Sequence, residues 1–199
     1  MKPKTNRAGD PAESKGFDRC YTPAYALDPL LSYIRREWIV WEPAAGSGNI
    51  HSVMLHRVGT REQAGAVASD IHGNFANPSR NFFDWQPGLF DAIVTNPPYS
   101  IKFDWLARCY ELGKPFALLV PVETIGAQSA QKLMERYGCE LLLLNRRVNF
   151  IMPNKGEAGS SAQFPVLWLC WQMLPAPIVY GKITQRHTDQ AVMELLEAA

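Results

Sequence analysis

The stretch EWIVWEPAAGSGNIHSVMLHRV, residues 37–58, combines three local patterns in a fixed order. Its first residues form a short apolar run of the kind that makes a buried strand. Gly46 and Gly48 follow, and glycine lets the chain turn tightly and lets a ligand approach the backbone closely. The residues from Asn49 onward predict a helix whose free N–H groups point back at that turn. A strand, a glycine-rich turn and a helix in this order predict one unit of an open α/β sheet.

Short apolar runs and helical stretches alternate along the rest of the chain. In chain order they are AGAVASD, FDAIVTN, KFDWLARCYELG, PFALLVPV, TIGAQSAQKLMERYG and CELLLLN. Short buried strands separated by helices favour a parallel sheet with helices on both faces. The later run FPVLWLCWQM is rich in β-forming residues. We expect it either to pair with the CELLLLN strand as a hairpin or to run antiparallel at the edge of the sheet.

The segment TPAYALDPLLSYI, residues 22–34, carries apolar residues at helical spacing. Thr22 followed by Pro23 suits the cap and the first position of a helix. We therefore expect a helix here, capped by Thr22, ahead of the first strand.

The overall composition is that of one ordinary globular domain. Of the 199 residues, 47% are hydrophobic and 20% are charged, which suits a single sizeable core. Residues 1–16 lack apolar periodicity, so we expect a disordered arm there and a single domain over residues 17–199. The formal charge of +1 neither indicates nor excludes a polyanionic partner.

The cysteines and histidines form no metal-binding pattern. There are four of each, without a C-x-x-C pair, so we expect no metal site. The first residues lack the apolar core of a signal peptide, and the long apolar stretch FPVLWLCWQMLPAPIVY is interrupted by prolines and is too short to span a bilayer. These features predict a cytoplasmic protein with reduced thiols and no membrane association.

Polar residues follow the predicted strands. In open α/β sheets, ligands bind at the carboxyl ends of the strands, near the point where strand order reverses. The glycine-rich turn follows the first strand, and Asp70 follows the second, about 20 residues later. An acidic residue at this spacing is typical of a site that binds ribose hydroxyls, although a tight turn beside an exposed aspartate has the same pattern.

The stretch TNPPYS, residues 95–100, follows the run FDAIV, which we number as the fourth strand. The side-chain carbonyl of Asn96 can reach into the crevice, and Pro97 offers a second carbonyl acceptor. Two acceptors converging on one small region suit an amino group with two protons to donate. Tyr99 adds a flat ring able to stack on a planar heterocycle. Taken alone, the same letters also describe a Pro-Pro turn closed by a packed tyrosine.

These stretches together resemble a known family. CYTPAYALDPLL, EPAAGSGN, Asp70, NFFDWQPGLFDAIV and NPPYS are similar to the S-adenosylmethionine-dependent amino-methyltransferases, in particular the N6-adenine DNA methyltransferases. The resemblance covers approximately residues 20–172. It implies a Rossmann-like, seven-stranded methyltransferase sheet.

The resemblance also implies roles for individual residues. The residues implied to hold the cofactor S-adenosylmethionine are Thr22 and Glu42 at its methionine end, Ala44, Gly46 and Gly48 beneath it, Asp70 at the ribose, Asn81 and Phe82 at its adenine, and Asn96. Asn81–Phe82 stands where the family usually has Asp-Phe, and Asp84 is a rival for the same contact. The catalytic set is Asn96, Pro97, Pro98 and Tyr99. Phe150 would cover the other face of the target base or lie in the core, and Arg146, Arg147 and Lys155 would contact phosphates or form a solvated cluster.

The implied activity is methyl transfer to the N6 of adenine in double-stranded DNA, with the adenine flipped out of the duplex. RNA adenine and a protein glutamine side chain are alternative acceptors on the same fold, and a catalytically inactive cofactor- or DNA-binding module is a further alternative. Because the resemblance uses the chain up to about residue 172, little remains to read bases. We therefore expect loose or short sequence specificity.

Overall fold

The computed structural model describes residues 18, 20–58, 65–73, 75, 79–152 and 164–184. The expected arm over residues 1–16 and the site residue Lys155 lie outside this part of the chain. None of the helices in the described ranges combines the length and apolarity that a bilayer crossing requires.

Seven strands form one mixed sheet. They are β1 (Val40–Glu42), β2 (Ala66–Ala68), β3 (Ala92–Thr95), β4 (Phe116–Pro121), β5 (Glu140–Leu144), β6 (Val166–Trp171) and β7 (Ile178–Gly181), in the spatial order β2-β1-β3-β4-β6-β5-β7. Only β6 runs antiparallel to its neighbours β4 and β5, and the other pairs are parallel. The described helices are α1 (Asp28–Leu31), α2 (Asn49–Val58), α3 (Lys102–Leu112) and α4 (Gln128–Tyr137), with short 3-10 helices at Ala24–Ala26, Tyr99–Ile101 and Val122–Gly126.

Helices cover both faces of the sheet. Successive strand residues point to opposite faces, so in β3 the side chain of Val94 packs in a core with Met54 of α2. The side chain of Ile93 packs in a second core, with Leu106 of α3. All four are buried. The predicted α/β sheet with helices on both faces is therefore confirmed.

Three details of the predicted topology are corrected. β6 pairs with β5, as one alternative proposed, but it lies inside the sheet between β4 and β5 and not at an edge. The strand before Asn96 is the third along the chain, not the fourth, because the described residues between β2 and β3 form turns and no strand. The far edge is occupied by β7, which the sequence did not predict because prolines precede a run of only four residues.

The helix expected at residues 22–34 is broken into two pieces. A 3-10 helix spans Ala24–Ala26, and α1 begins at Asp28 with a proline in its first turn. Pro29 has no N–H to continue the preceding turn. The N-cap of the 3-10 helix is Pro23, without a side-chain cap hydrogen bond, so the predicted role of Thr22 as N-cap is wrong. The Thr22 hydroxyl has no hydrogen-bond partner among the described residues.

Candidate functional site

The carboxyl ends of β1, β2 and β3 bring the main predicted residues to one edge of the sheet. Glu42 is the last residue of β1, Asp70 follows β2, and Asn96 follows β3. The chain leaves β1 toward β2 on one side and later returns to β3 on the other side, so strand order reverses at β1. This is the position at which open α/β sheets bind ligands.

Asp70 fastens the glycine-rich turn. Its Oδ2 accepts a hydrogen bond from the Gly46 N–H (2.9 Å), and its Oδ1 accepts one from the His72 N–H (2.7 Å). The carboxylate is buried, and each oxygen retains a second lone pair. Asp70 thus fixes the turn and keeps acceptor capacity toward the crevice.

Two aromatic rings lie directly on the turn, and the sequence did not single out either. Gly46 and Gly48 have φ angles of +52° and +86°, a region that favours glycine. A Cβ on Gly46 would lie 3.0 Å from the ring of Tyr21, and a Cβ on Gly48 would lie 2.5 Å from the ring of Phe75. The backbone conformation therefore favours glycine at both positions, and a Cβ at Gly48 would in addition require the ring of Phe75 to move.

Glu42 is a buried carboxyl with one oxygen unused. Its side chain is 2% exposed, and its Oε2 has no hydrogen-bond partner among the described residues. Burial raises the pKa of Glu42 well above its ordinary value, the N–H of His51 opposes that shift, and the nearby charge of Asp70 adds to it. A carboxyl in this position is completed by a cation or by a ligand N–H group.

Thr22 lies buried at the same edge. Its carbonyl accepts a hydrogen bond from Asn49 Nδ2 (3.0 Å), which ties it to the start of α2. Its Oγ1 is buried without a partner among the described residues. Thr95, at the end of β3, has a second buried and unpartnered hydroxyl, which the sequence analysis missed because a threonine in a strand usually serves packing.

The NPPYS loop carries a free acceptor. Asn96 donates from Nδ2 to Cys20 Sγ (3.9 Å), while its Oδ1 is buried without a partner in the described part of the chain. The carbonyl of Pro98 accepts from the Ile101 N–H (3.3 Å), whereas no described donor reaches the carbonyl of Pro97. Two acceptor oxygens therefore remain unused side by side in the chain.

The ring of Tyr99 is enclosed. It is 8% exposed and makes edge contacts with Phe150 (centroids 6.4 Å apart) and Phe164 (5.9 Å). Its hydroxyl is buried and has no described partner, and burial raises the pKa of Tyr99 well above its ordinary value. Phe150 is itself 4% exposed and belongs to the core.

The segment that leads to Thr22 crosses this edge, and its other described residues were not predicted to belong to the site. We call Asp18 together with residues 20–22 the edge strap. Asp18 accepts from the Ser100 N–H (3.1 Å), and Tyr21 exchanges backbone hydrogen bonds with Ile151 (2.8 and 3.0 Å). The sequence indicated a role only for the Thr-Pro pair. The contacts of Asp18 and Cys20 could not be predicted, because their partners lie 82 and 76 positions away.

Asn81 and Phe82 occupy a neighbouring turn. The Arg80 N–H donates to the Asp70 carbonyl (2.9 Å), which holds this turn beside β2. Asn81 Oδ1 accepts from the Phe83 N–H (3.0 Å), and its amide donates to exposed Asp84 (3.3 Å). The ring of Phe82 is buried and stacks on Trp105 at 4.1 Å. The Asn81 carbonyl therefore already closes its own turn, and Phe82 is part of the core.

Basic side chains follow β5 and β7 at the same edge. Arg146 and Arg147 are exposed just beyond β5, and Lys182 is exposed just beyond β7. Gly181 is in register with Leu144, so the three cations are neighbours. Among the described residues an ion pair is found only between Arg108 and Glu111, which leaves these cations without carboxylate partners. No group of metal-ligating side chains occurs in the described ranges.

Comparison with solved structures identifies the same fold in methyltransferases. The methyltransferase subunit of a type I restriction-modification system from Streptococcus thermophilus has a TM-score of 0.51 and 13% identity, over 90% of this chain and 53% of that one. The type IIG restriction endonuclease BpuSI has a TM-score of 0.52 and 14% identity, over 88% and 28%. The EcoKI M protein has a TM-score of 0.50 and 10% identity, over 89% and 53%.

The chain shares its fold with these three proteins. At such low identity the likeness concerns the fold alone, and the chain spans about half the length of the two restriction-system subunits. No protein-family model and no curated protein matches the sequence.

Proposed function

We propose that this protein transfers a methyl group from S-adenosylmethionine to the N6 amino group of adenine in DNA. The observation that carries the proposal is the buried Oδ1 of Asn96, which has no described partner and follows β3 at the carboxyl edge. A buried acceptor without a donor is costly, and the amine of a planar base supplies the missing donor. The sulfonium cofactor supplies the activated methyl group when it is bound.

The residues at the end of β1 fit such a cofactor. The unpartnered Glu42 Oε2 and Thr22 Oγ1 suit the ammonium and carboxylate end of an amino acid. The glycine-rich turn allows close backbone approach, and Asp70 keeps lone pairs for ribose hydroxyls. The alanine in this turn, Ala44, is half-buried and would lie with the glycines beneath the cofactor.

The residues of the chain would contribute to the reaction by accepting hydrogen bonds from the target amine and by aligning it with the methyl group. The adenine amine is a poor nucleophile because its lone pair is delocalised into the ring. Asn96 Oδ1 and the Pro97 carbonyl would accept hydrogen bonds from its two N–H groups, favouring the positive charge that develops on nitrogen. As the N–C bond forms, the S–C bond of the cofactor breaks to leave a neutral thioether, and the methylated amine then loses one proton to solvent. Tyr99, whose ring is enclosed in the free protein, would hold the base once Phe150 or Phe164 moves aside, and Pro98 fixes the backbone between these groups. No strong base is required, since direct transfer depends mainly on alignment.

Exposed cations at the carboxyl edge support a nucleic acid as the methyl acceptor. Arg146, Arg147 and Lys182 are exposed cations without described carboxylate partners, and they follow β5 and β7 at the same edge of the sheet as the site. Phosphate contacts position a duplex without reading its sequence. We propose that these cations contact phosphates and do not read bases, and that specificity is therefore loose or short.

The test is incorporation of tritiated methyl from S-adenosylmethionine into plasmid DNA, total RNA and a protein extract, offered separately. We expect label in DNA, located on N6-methyladenine after digestion. Label found only in RNA, or only on protein glutamine, would show that this molecule and not DNA is the methyl acceptor. No label in any of the three, together with retained cofactor binding, would show a binding module and refute the proposal.

A further inference from the structure

The side-chain amide of Asn96 makes a hydrogen bond through its nitrogen and none through its oxygen among the described residues. Its Nδ2 donates to Cys20 Sγ at 3.9 Å, a sulfur on a segment 76 positions earlier in the sequence. Its Oδ1 is buried and has no partner among the described residues. The contact with sulfur therefore engages the Nδ2 end of the amide and leaves the Oδ1 end available to a ligand.

The edge strap fixes Cys20 from both sides. On one side, Asp18 Oδ1 accepts from the Ser100 N–H (3.1 Å), within the NPPYS loop itself. On the other side, Tyr21 exchanges two backbone hydrogen bonds with Ile151. These contacts on either side of Cys20 hold the edge strap against the NPPYS loop independently of the Asn96 side chain.

The sulfur is that of a neutral thiol. Burial raises the pKa of Cys20 to about 11, and the hydrogen bond from Asn96 offsets only part of that shift. A neutral, half-buried thiol is a weak nucleophile but can accept a weak hydrogen bond. This environment suits a structural contact and does not suit a reactive cysteine.

The orientation of the amide matters for the proposed reaction. In the observed orientation Oδ1 is the free group, and an acceptor is what an amine requires. With the amide rotated by half a turn, Nδ2 would face the target amine, two donor groups would oppose each other, and the transition state would lose an acceptor.

We infer that Cys20 is a positioning residue for methyl transfer, whose sulfur holds Asn96 Nδ2 so that Oδ1 faces the target amine. This inference rests on the proposed function and adds to it a residue on the edge strap. Cys20 does not itself touch the reacting atoms in this role.

The test compares Cys20→Ala, Cys20→Ser and Cys139→Ala in the full chain. Cys139 is the matched control, because it is a half-buried free cysteine that directly precedes β5 at the opposite edge of the sheet. We expect Cys20→Ala to lower kcat about tenfold, the size of effect that the loss of one hydrogen bond would have on the transition state. The Kd for S-adenosylmethionine and the Tm should stay unchanged. Cys20→Ser should recover part of the lost rate, since a hydroxyl accepts the same hydrogen bond, and Cys139→Ala should match the wild type.

Two outcomes would overturn the inference alone. One is an active wild-type protein whose kcat is unchanged in Cys20→Ala. The other is a variant in which kcat, cofactor affinity and Tm fall together, because that shows a general packing defect. A wild-type protein that binds S-adenosylmethionine but methylates neither nucleic acid nor protein would overturn the proposed function, and this inference with it.

Discussion

Two glutamates at opposite edges of the sheet have contrasting surroundings. Glu140 begins β5 at the amino edge, where its Oε2 accepts from the N–H groups of Met173 (2.9 Å) and Leu174 (2.7 Å). Glu42 ends β1 at the carboxyl edge, is more deeply buried, and leaves its Oε2 without a described partner. Leaving such an oxygen unpaired costs free energy. The amino edge avoids this cost, and the carboxyl edge bears it where a ligand would remove it.

Other polar groups repeat the contrast. At the amino edge, Trp171 Nε1 donates to the Tyr137 carbonyl (2.8 Å), and the Tyr110 hydroxyl donates to the Gly138 carbonyl (2.7 Å). The buried side-chain atoms without partners at the carboxyl edge, among the described residues, are Thr22 Oγ1, Glu42 Oε2, Thr95 Oγ1, Asn96 Oδ1, Tyr99 OH and Thr124 Oγ1, the last in the 3-10 helix that follows β4. Unpaired atoms also occur on α2, at His51, and on α3, at Trp105 and Arg108, so it is their concentration at one edge that indicates a site.

The strongest test of this contrast is Asn96→Ala. We expect methyl transfer to fall a hundredfold or more, about 3 kcal/mol of lost transition-state stabilisation, because a preorganised polar contact disappears. Cofactor affinity should survive, since the Asn96 oxygen is proposed to serve the target amine. Single-turnover rates and calorimetry with S-adenosylmethionine measure the two quantities separately. Near-normal turnover would remove Asn96 from the catalytic set.

The two glutamates themselves give the next test, through stability. Glu140→Ala leaves two backbone N–H groups without their acceptor, so we expect the free energy of unfolding to fall by about 1–3 kcal/mol. Glu42→Gln should cost little stability in the free protein, because it removes a poorly satisfied carboxyl, yet it should weaken cofactor binding. Urea unfolding with and without S-adenosylmethionine distinguishes these effects. The contrast fails if the two variants lose stability equally.

The pH dependence of the free protein sharpens the same comparison. Because burial raises the pKa of Glu42 in the folded state, the folded protein binds more protons than the unfolded chain above the ordinary carboxyl pKa. Stability should therefore fall as pH rises from that ordinary value toward the raised one. Glu42→Gln should flatten this part of the profile, measured as the free energy of unfolding against pH. An unchanged slope would show that Glu42 ionises normally.

A smaller effect is expected at Asn81. Asn81→Ala removes the acceptor of the Phe83 N–H, and if the residue also serves the cofactor it should weaken S-adenosylmethionine binding by about 1 kcal/mol or more. Asn81→Asp keeps an acceptor, but it places a second carboxylate beside Asp84. Calorimetry on Asn81→Asp, with and without Asp84→Asn, distinguishes a hydrogen bond accepted from the cofactor from repulsion between the two carboxylates. Weaker binding in Asp84→Ala alone would assign the contact to Asp84.

How much the sequence could predict follows from the range of each interaction. The sheet and the placement of Glu42, Asp70 and Asn96 at one edge were predictable, because strand and turn patterns are local and parallel strands end together. The contact of Cys20 with Asn96 was not, since it joins residues 76 positions apart and no pattern marks it. Strand β7 escaped prediction because prolines precede a run of only four residues, and because its exposed positions, Ile178 and Tyr180, are apolar and so produce no apolar–polar alternation.

The smallest predicted effect concerns the cations at the carboxyl edge. If Arg146, Arg147 and Lys182 each contact a phosphate, replacing one by alanine should reduce the slope of log K against log salt by about 0.9 for duplex DNA. The matched control is Arg136→Ala, because Arg136 is an exposed arginine at the end of α4 that lies over the Tyr137 ring near the opposite edge. Fluorescence anisotropy over a salt series measures the slopes, and cofactor affinity should not change in any of the four variants. Equal slopes in all four variants would mean that these cations are solvated and contact no phosphate. The nucleic-acid interface would then lie elsewhere than at β5 and β7.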